Sequence, residues 1–249
     1  MKSDIFANAE SEKTDAFALQ NSKMLKVRIG LDGNPDSIVA RQGAMIAYQG
    51  QATFDRQGAG GLGKMMKQKL SGEGVAAMRV SGQAEVFFAD QASDVHLIYL
   101  EGDAISINGR NVLAYDASLD ADVHFVGGGG IAAGGLFNTI ISGTGWVAIT
   151  SKGTPVVLST DAPTAVDSNA VVCWSANLQT NIISSFKFNN LIGRGSGEAI
   201  QVGFSGQGWV VVQPAEFDLS TANASGQNTT PGSSAGGGAA GALGGLLGR

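Results

Sequence analysis

Three stretches of this chain can be laid over one another: Val80-Ser81-Gly82-Gln83-Ala84-Glu85-Val86-Phe87, Ile141-Ser142-Gly143-Thr144-Gly145-Trp146-Val147-Ala148 and Phe204-Ser205-Gly206-Gln207-Gly208-Trp209-Val210-Val211. Their serines lie 61 and 63 residues apart, and a glycine-rich approach precedes each, in Gly72-Glu73-Gly74, Gly127 to Gly135 and Gly193 to Gly197. Glycine reaches positive φ at little steric cost, and the β-branched and aromatic residues that follow suit a strand. Each stretch is therefore predicted to be a hairpin with Ser-Gly at its turn. A second echo runs through Val39–Met45, Leu113–Leu119 and Ala165–Val171, at uneven spacings of 74 and 52 residues. The near-equal gaps predict a triplicated β unit. One unit cannot close a core alone, so the three are expected to pack around a pseudo-threefold axis as one body.

The rest of the chain agrees with an all-β class. Leu25, Val27, Ile29 and Leu31 fall on one face of an alternating run, with Lys26 and Arg28 opposite, as in a half-buried strand. The turn Asp32-Gly33-Asn34-Pro35-Asp36 ends that run, and Ile38–Arg41 and Met45–Tyr48 follow as further strands. From Val75 to Val212, β-branched and aromatic runs bounded by Gly, Asp, Asn and Ser continue the pattern, which predicts a sandwich or barrel of short strands. The interruption is Lys64–Leu70, good helix formers between glycine-rich flanks, predicted as one short helix. The domain reading is an N-terminal extension over 1–23, a triplicated β domain over 24–219 and a flexible Gly/Ala/Ser-rich tail over 220–249. The tail's small side chains bury too little apolar area to offset the entropy of ordering.

Charge narrows the partners. Sixteen Lys and Arg against 21 Asp and Glu leave a net charge of −5, so no global field draws phosphate backbones in, and nucleic acid is disfavoured as a main partner. A single cysteine excludes an intrachain disulfide framework and fits a reducing compartment. The polar, acidic Met1–Gln20 lacks the basic-then-apolar pattern of a leader, so the expected location is cytoplasmic. No apolar run approaches the roughly 18 residues that a membrane-spanning helix needs.

Among the candidate sites, Gly58-Ala59-Gly60-Gly61-Leu62-Gly63-Lys64-Met65 matches a phosphate loop up to its last position, where Met65 replaces the hydroxyl that would hold magnesium. It reads better as a glycine lead into the basic helix. On that helix Lys64, Lys67 and Lys69 beside Met65 and Met66 form the candidate surface contact, suited to an anionic membrane or a protein partner. His96 and His124, with Asp90, Asp94, Asp120 and Asp122 near them in sequence, are the metal set considered. Nothing in their spacing makes them ligands, and no metal or cofactor is assigned. Cys173 reads as a small buried hydrophobe, Asp32–Asp36 as a Pro-containing turn, and Trp146 and Trp209 as packing residues at matching repeat positions. No catalytic residue is assigned.

Several motifs carry a family likeness. Leu19-Gln20-Asn21-Ser22-Lys23-Met24-Leu25, Ala40-Arg41-Gln42-Gly43-Ala44-Met45-Ile46-Ala47-Tyr48-Gln49-Gly50, Gly60-Gly61-Leu62-Gly63-Lys64 with Ser71-Gly72-Glu73-Gly74, and Gly134-Gly135-Leu136-Phe137 with Ser142-Gly143-Thr144-Gly145 together resemble the altered inheritance of mitochondria protein 24, or mitochondrial biogenesis, family. The likeness covers roughly Leu19 to Gln213. It implies a fold like that of the trp RNA-binding attenuation protein, a short double-stranded β-helix in several copies, often trimeric. It implies no established catalytic activity, and it links eukaryotic members to mitochondrial inner-membrane organisation. The functional expectation is a non-enzymatic, homo-oligomeric β scaffold or interaction module, trimeric and in contact with an anionic membrane or a protein. The alternative is a small-ligand or RNA-binding module on the same fold.

Overall fold

The structure is a computed structural model that describes residues 3–10, 12–56, 76–126, 137–184 and 200–214. The chain divides into two units, Met1–Glu216, which holds every described strand, and Phe217–Arg249. The expected helix over Lys64–Leu70 and the expected tail over 220–249 lie outside the described residues.

The described residues form antiparallel β-structure with two short 3-10 turns, Asp4–Ala7 and Gly109–Asn111. The first strands are β1 (Phe17–Asn21), β2 (Met24–Ile29), β3 (Ser37–Arg41), β4 (Met45–Arg56) and β5 (Ala77–Phe88). β6 (Asp94–Asn108), β7 (Val112–Asp116), β8 (Asp120–Phe125) and β9 (Phe137–Ser151) follow. The last are β10 (Val156–Ser159), β11 (Thr164–Asp167), β12 (Val171–Ser175), β13 (Gln179–Ser184), β14 (Ile200–Ser205) and β15 (Trp209–Val212). One sheet runs β1-β2-β5-β3-β7-β9-β6-β12-β15-β10, with β4 added on β5 and β8 on β9, and a second runs β11-β14-β13.

The alternation read in β2 holds on its apolar side, where Leu25, Val27 and Ile29 are fully buried. The expected extension over 1–23 is corrected at its end: Phe17–Asn21 pairs with β2, because Phe17 and Ala18 are apolar enough to join the core, at 2% and 3% exposure.

The Ser-Gly hairpins are also corrected. β5 runs unbroken through Ser81-Gly82: Ala77–Ser81 pairs with β3, Ala84–Phe88 pairs with β2, and β4 follows nearly the whole strand on the other edge. β9 does the same at Ser142-Gly143, with β8 before the glycine, β7 after it and β6 alongside throughout. At Ser205-Gly206 the chain bends between β14, paired with β11 and β13, and β15, paired with β10 and β12. Each half of the strand already has partners elsewhere, so the glycine, at φ +128°, +122° and +111° respectively, bends the strand from one set of partners to another instead of folding it back on itself.

A feature invisible in sequence recurs beside these bends. The ladders β4·β5, β7·β9 and β12·β15 each carry one irregularity, between Met45 and Ala47, Val112 and Ala114, and Val171 and Cys173. The extra residue is Ile46, Leu113 and Val172 in turn, the position a β-bulge re-aims. This places the second echo: Val39–Met45 and Ala165–Val171 enter a bulged strand, whereas Leu113–Leu119 spans β7 and the turn after it. The segment in the corresponding place is Ser106–Val112.

The core falls into three clusters along the chain. The first gathers Phe17, Leu25, Val27, Ile38, Val86 and Phe88 and takes in Leu113 and Ala114 of β7. The second gathers Ile105, Ile107, Ile141, Val147 and Ile149 and takes in Val172 and Cys173 of β12. The third gathers Val126, Val166, Val171, Trp174, Leu178, Val202, Phe204 and Val210. The bulged strands β7 and β12 thus insert into the preceding cluster, through β3·β7 and β6·β12 pairing.

Candidate functional site

The surface contact expected at Lys64, Met65, Met66, Lys67 and Lys69 lies outside the described residues, as does the phosphate-loop-like Gly58–Met65. The two histidines are apart. His96 on β6 sits with Nε2 2.8 Å from Ser151 Oγ, and burial lowers its pKa, with Asp94 opposing and Lys23 reinforcing that shift. His124 on β8 is exposed, its Nε2 3.2 Å from Asp122 Oδ2. Their ladder partners on β9 are Ile149 and Asn138, roughly 35 Å apart along the strand at the usual rise per residue. Asp94 instead holds Lys23 at 2.7 Å and Asp90 holds Arg41 at 2.5 Å. Among the described residues no three His, Cys, Asp or Glu gather as a metal set.

Cys173 is fully buried on β12, and burial pushes its thiol up to about 12, so it stays protonated and packs as an apolar side chain. In the Asp32–Asp36 turn, Asp32 accepts from the Arg28 guanidinium at 2.7 Å. Trp146 packs against Tyr99, rings 4.9 Å apart, and its backbone N–H donates to Asp116 Oδ2 at 2.6 Å. The Trp209 N–H donates likewise to Ser175 Oγ at 3.0 Å. Asp116 and Ser175 close matching turns, with N–H groups of Leu119 and Leu178 donating to their carbonyls at 3.1 Å.

Sequence reasoning missed the chemistry of Asp116. Its carboxylate is 5% exposed; one oxygen takes the Trp146 N–H and the other, Oδ1, has no hydrogen-bond partner among the described residues. Burial raises its pKa, partly offset by that N–H. A carboxyl raised in the folded state binds protons more tightly there than in the unfolded chain. Stability therefore falls as pH rises from the ordinary carboxylate value of about 4 through the raised folded value. Asp116→Asn is expected to flatten that part of the profile, so its stability relative to the parent should be greater at pH 7 than at pH 4 in urea unfolding. A pH-independent difference would mean that burial costs the carboxylate nothing.

Also missed was an ion network under the N-terminal segment. Lys26, expected on the solvent face of β2, is 3% exposed because Glu10 lies over it, 2.7 Å from Nζ, with Glu85 at 3.1 Å. Arg28 Nε lies 3.0 Å from the same Glu85 oxygen. Burial works against the Lys26 ammonium, but its hydrogen bonds to both carboxylates outweigh that and hold its pKa above the ordinary value. These groups, with Glu12, Lys13 and Thr14, line a cleft of about 250 Å³. Three cations meet three carboxylates there, so the cleft is self-neutralised rather than poised for an anion.

The remaining surface of interest is apolar and lies along strand edges. On β4, Ile46 and Tyr48 are 50% and 49% exposed, although Leu113 and Val172, at the same bulge, are both at 0%. Trp174, which follows the β12 bulge as Tyr48 follows that of β4, is at 2%. Among the described residues β4 pairs only with β5, and β11 only with β14. Val156 and Val157 on β10 are also exposed, at 56% and 65%. A long edge strand bearing large apolar side chains is a template for another strand.

The family model described as mitochondrial biogenesis AIM24 matches residues 17–215. The crystal structure of protein SPYM3_0169 from Streptococcus pyogenes is similar in fold, with a TM-score of 0.65 at 21% identity over 84% of this chain and 95% of that one. No curated protein matches the chain. With the matching model spanning the whole β body, from β1 past β15, the chain belongs to the mitochondrial biogenesis AIM24 family.

Proposed function

We propose that the chain is a non-enzymatic, homo-oligomeric β scaffold in the cytoplasm, with a role related to its family's and assembling as a trimer that meets an anionic membrane or protein partner. It is built from three repeated units of the attenuation-protein type. The first runs from β2 to β5, the second from β6 to β9 and the third from β10 to β15. Three bulges, at Ile46, Leu113 and Val172, and three positive-φ glycines, Gly82, Gly143 and Gly206, in the same order in each unit support the triplication. Closure around a pseudo-threefold axis needs a third junction like β3·β7 and β6·β12, and among the described residues β11 and β4 form no such ladder.

The observation that carries the scaffold reading is the half-exposed pair Ile46 and Tyr48 on a 12-residue edge strand. Surface of this kind is covered in a working protein by association. Light scattering on the full chain is expected to give three times the chain mass. The oligomer should float with vesicles of phosphatidylcholine and phosphatidylserine, and Lys64→Glu, Lys67→Glu and Lys69→Glu together should weaken that binding at least about 100-fold, at about 1 kcal/mol per lysine near an anionic surface. A monomer ends the scaffold reading, and flotation unchanged by the triple variant ends the membrane contact.

A further inference from the structure

The two junctions between units share one register. At β3·β7 the pairs are Ile38↔Asp116, Val39↔Tyr115 and Ala40↔Ala114. At β6·β12 they are Ile105↔Ser175, Ser106↔Trp174 and Ile107↔Cys173. Each joins a strand approaching the Gly82- or Gly143-bearing ladder to the strand just past a bulge. Counted from the bulges, Ala47, Tyr48 and Gln49 of β4 correspond to Ala114, Tyr115 and Asp116 and to Cys173, Trp174 and Ser175. Counted from Gly206 across β14, Thr164, Ala165 and Val166 of β11 correspond to Ile38, Val39 and Ala40 and to Ile105, Ser106 and Ile107.

Both halves of this third junction are present, and among the described residues no strand pairs with either of them there. Val39 and Ser106 are 4% and 2% exposed, whereas Ala165 is exposed. Leu113 and Val172 enter the first and second clusters, whereas Ile46 enters none, and no residue of β4 reaches the third cluster. The two edges are complementary, on opposite end units, and of a kind the chain already joins twice.

We infer that β4 of one chain pairs antiparallel with β11 of a second copy, in the register Ala47↔Val166, Tyr48↔Ala165 and Gln49↔Thr164. Ile46 then packs against the partner's third cluster as Leu113 and Val172 pack within the chain. The contact is head to tail, so it propagates until it closes, and three copies form a ring in which each edge is used once. This rests on the scaffold reading and adds to it the surface and register.

The test uses full chains carrying new cysteines, with the native Cys173 buried and unreactive. Directly opposed residues on paired antiparallel strands have Cα atoms about 4.5 to 5.5 Å apart, within the span a disulfide bridges. Tyr48→Cys co-expressed with Ala165→Cys is expected to link one chain to another, neither variant alone should link, and Gln51→Cys with Ala165→Cys, out of register, should stay unlinked. Ile46→Asp should reduce the oligomer to monomers with an unchanged circular dichroism spectrum. An oligomer that survives Ile46→Asp and gives no Tyr48-to-Ala165 link overturns the edge assignment while leaving the scaffold reading intact; a monomeric parent overturns both. A Tyr48→Cys chain that links to itself points to a two-fold contact instead. A link within a single chain carrying both cysteines shows that the third unit closes on the first. Either result also overturns the inference.

Discussion

Replacing Gly82 with alanine is expected to destabilise the protein by roughly 3 to 5 kcal/mol, combining left-handed backbone strain with a clash that no side-chain rotation relieves. Gly82 holds φ +128° in the middle of β5, and a Cβ there would stand 2.2 Å from the Gln51 carbonyl oxygen and 3.1 Å from its carbon. Both are backbone atoms of β4, so the two strands must part where β5 changes partners. Gly143 has nearly the same φ, +122°, but its Cβ would press on Leu119 Cδ2, at 3.1 Å, the far end of a side chain that can turn away, and meet the Leu119 Cα at an ordinary 3.9 Å. Gly143→Ala should then cost about 1 to 2 kcal/mol, mostly backbone strain. Gly33, at φ +81° with open space around it, should cost about 1 kcal/mol. Urea unfolding of the three variants measures the ranking. If Gly143→Ala proved as costly as Gly82→Ala, the clash with β4 would not be what makes Gly82 necessary.

The same glycines show how far the sequence could be read. The Ser-Gly repeat located all three bends and the all-β class, because the glycine of each Ser-Gly step, set among strand-forming residues, takes positive φ. It did not tell a turn from a bend, since the difference lies in whether the flanking halves pair with each other or with distant strands, and that is a long-range fact. The bulges were illegible for the same reason: Met45-Ile46-Ala47, Val112-Leu113-Ala114 and Val171-Val172-Cys173 share apolar character but no residue that marks an extra position. Asp116 lies within the second echo with nothing in sequence to set it apart, and only its place beneath the Trp146 N–H makes it a buried carboxyl. Lys26 followed the alternation of β2 and read as solvated. What buries it is Glu10, 16 residues earlier in a segment the alternation does not reach.

Leu113→Ala is expected to cost about 2 to 5 kcal/mol, the range for removing a fully buried leucine, because Leu113 is at 0% exposure within the first core cluster. Ile46→Ala removes a side chain of the same size from the same place in the bulge pattern, yet Ile46 is 50% exposed, so on an isolated chain its cost should be within about 0.5 kcal/mol. The contrast isolates the neighbour: among the described residues Leu113 has a core cluster to receive it and Ile46 has none. Under the proposed pairing of β4 with a second copy, the size of the Ile46→Ala effect becomes a function of protein concentration. In dilute solution, where chains are apart, the parent and Ile46→Ala should unfold together. As concentration rises, the proposed assembly should stabilise the parent by mass action, and the variant should fall progressively behind it. Leu113→Ala should show a deficit that is the same at every concentration, since its receiving core is covalently attached. Thermal unfolding of the two variants across a hundredfold dilution series separates them. A concentration-independent deficit for Ile46→Ala would mean that its side chain is covered by its own chain.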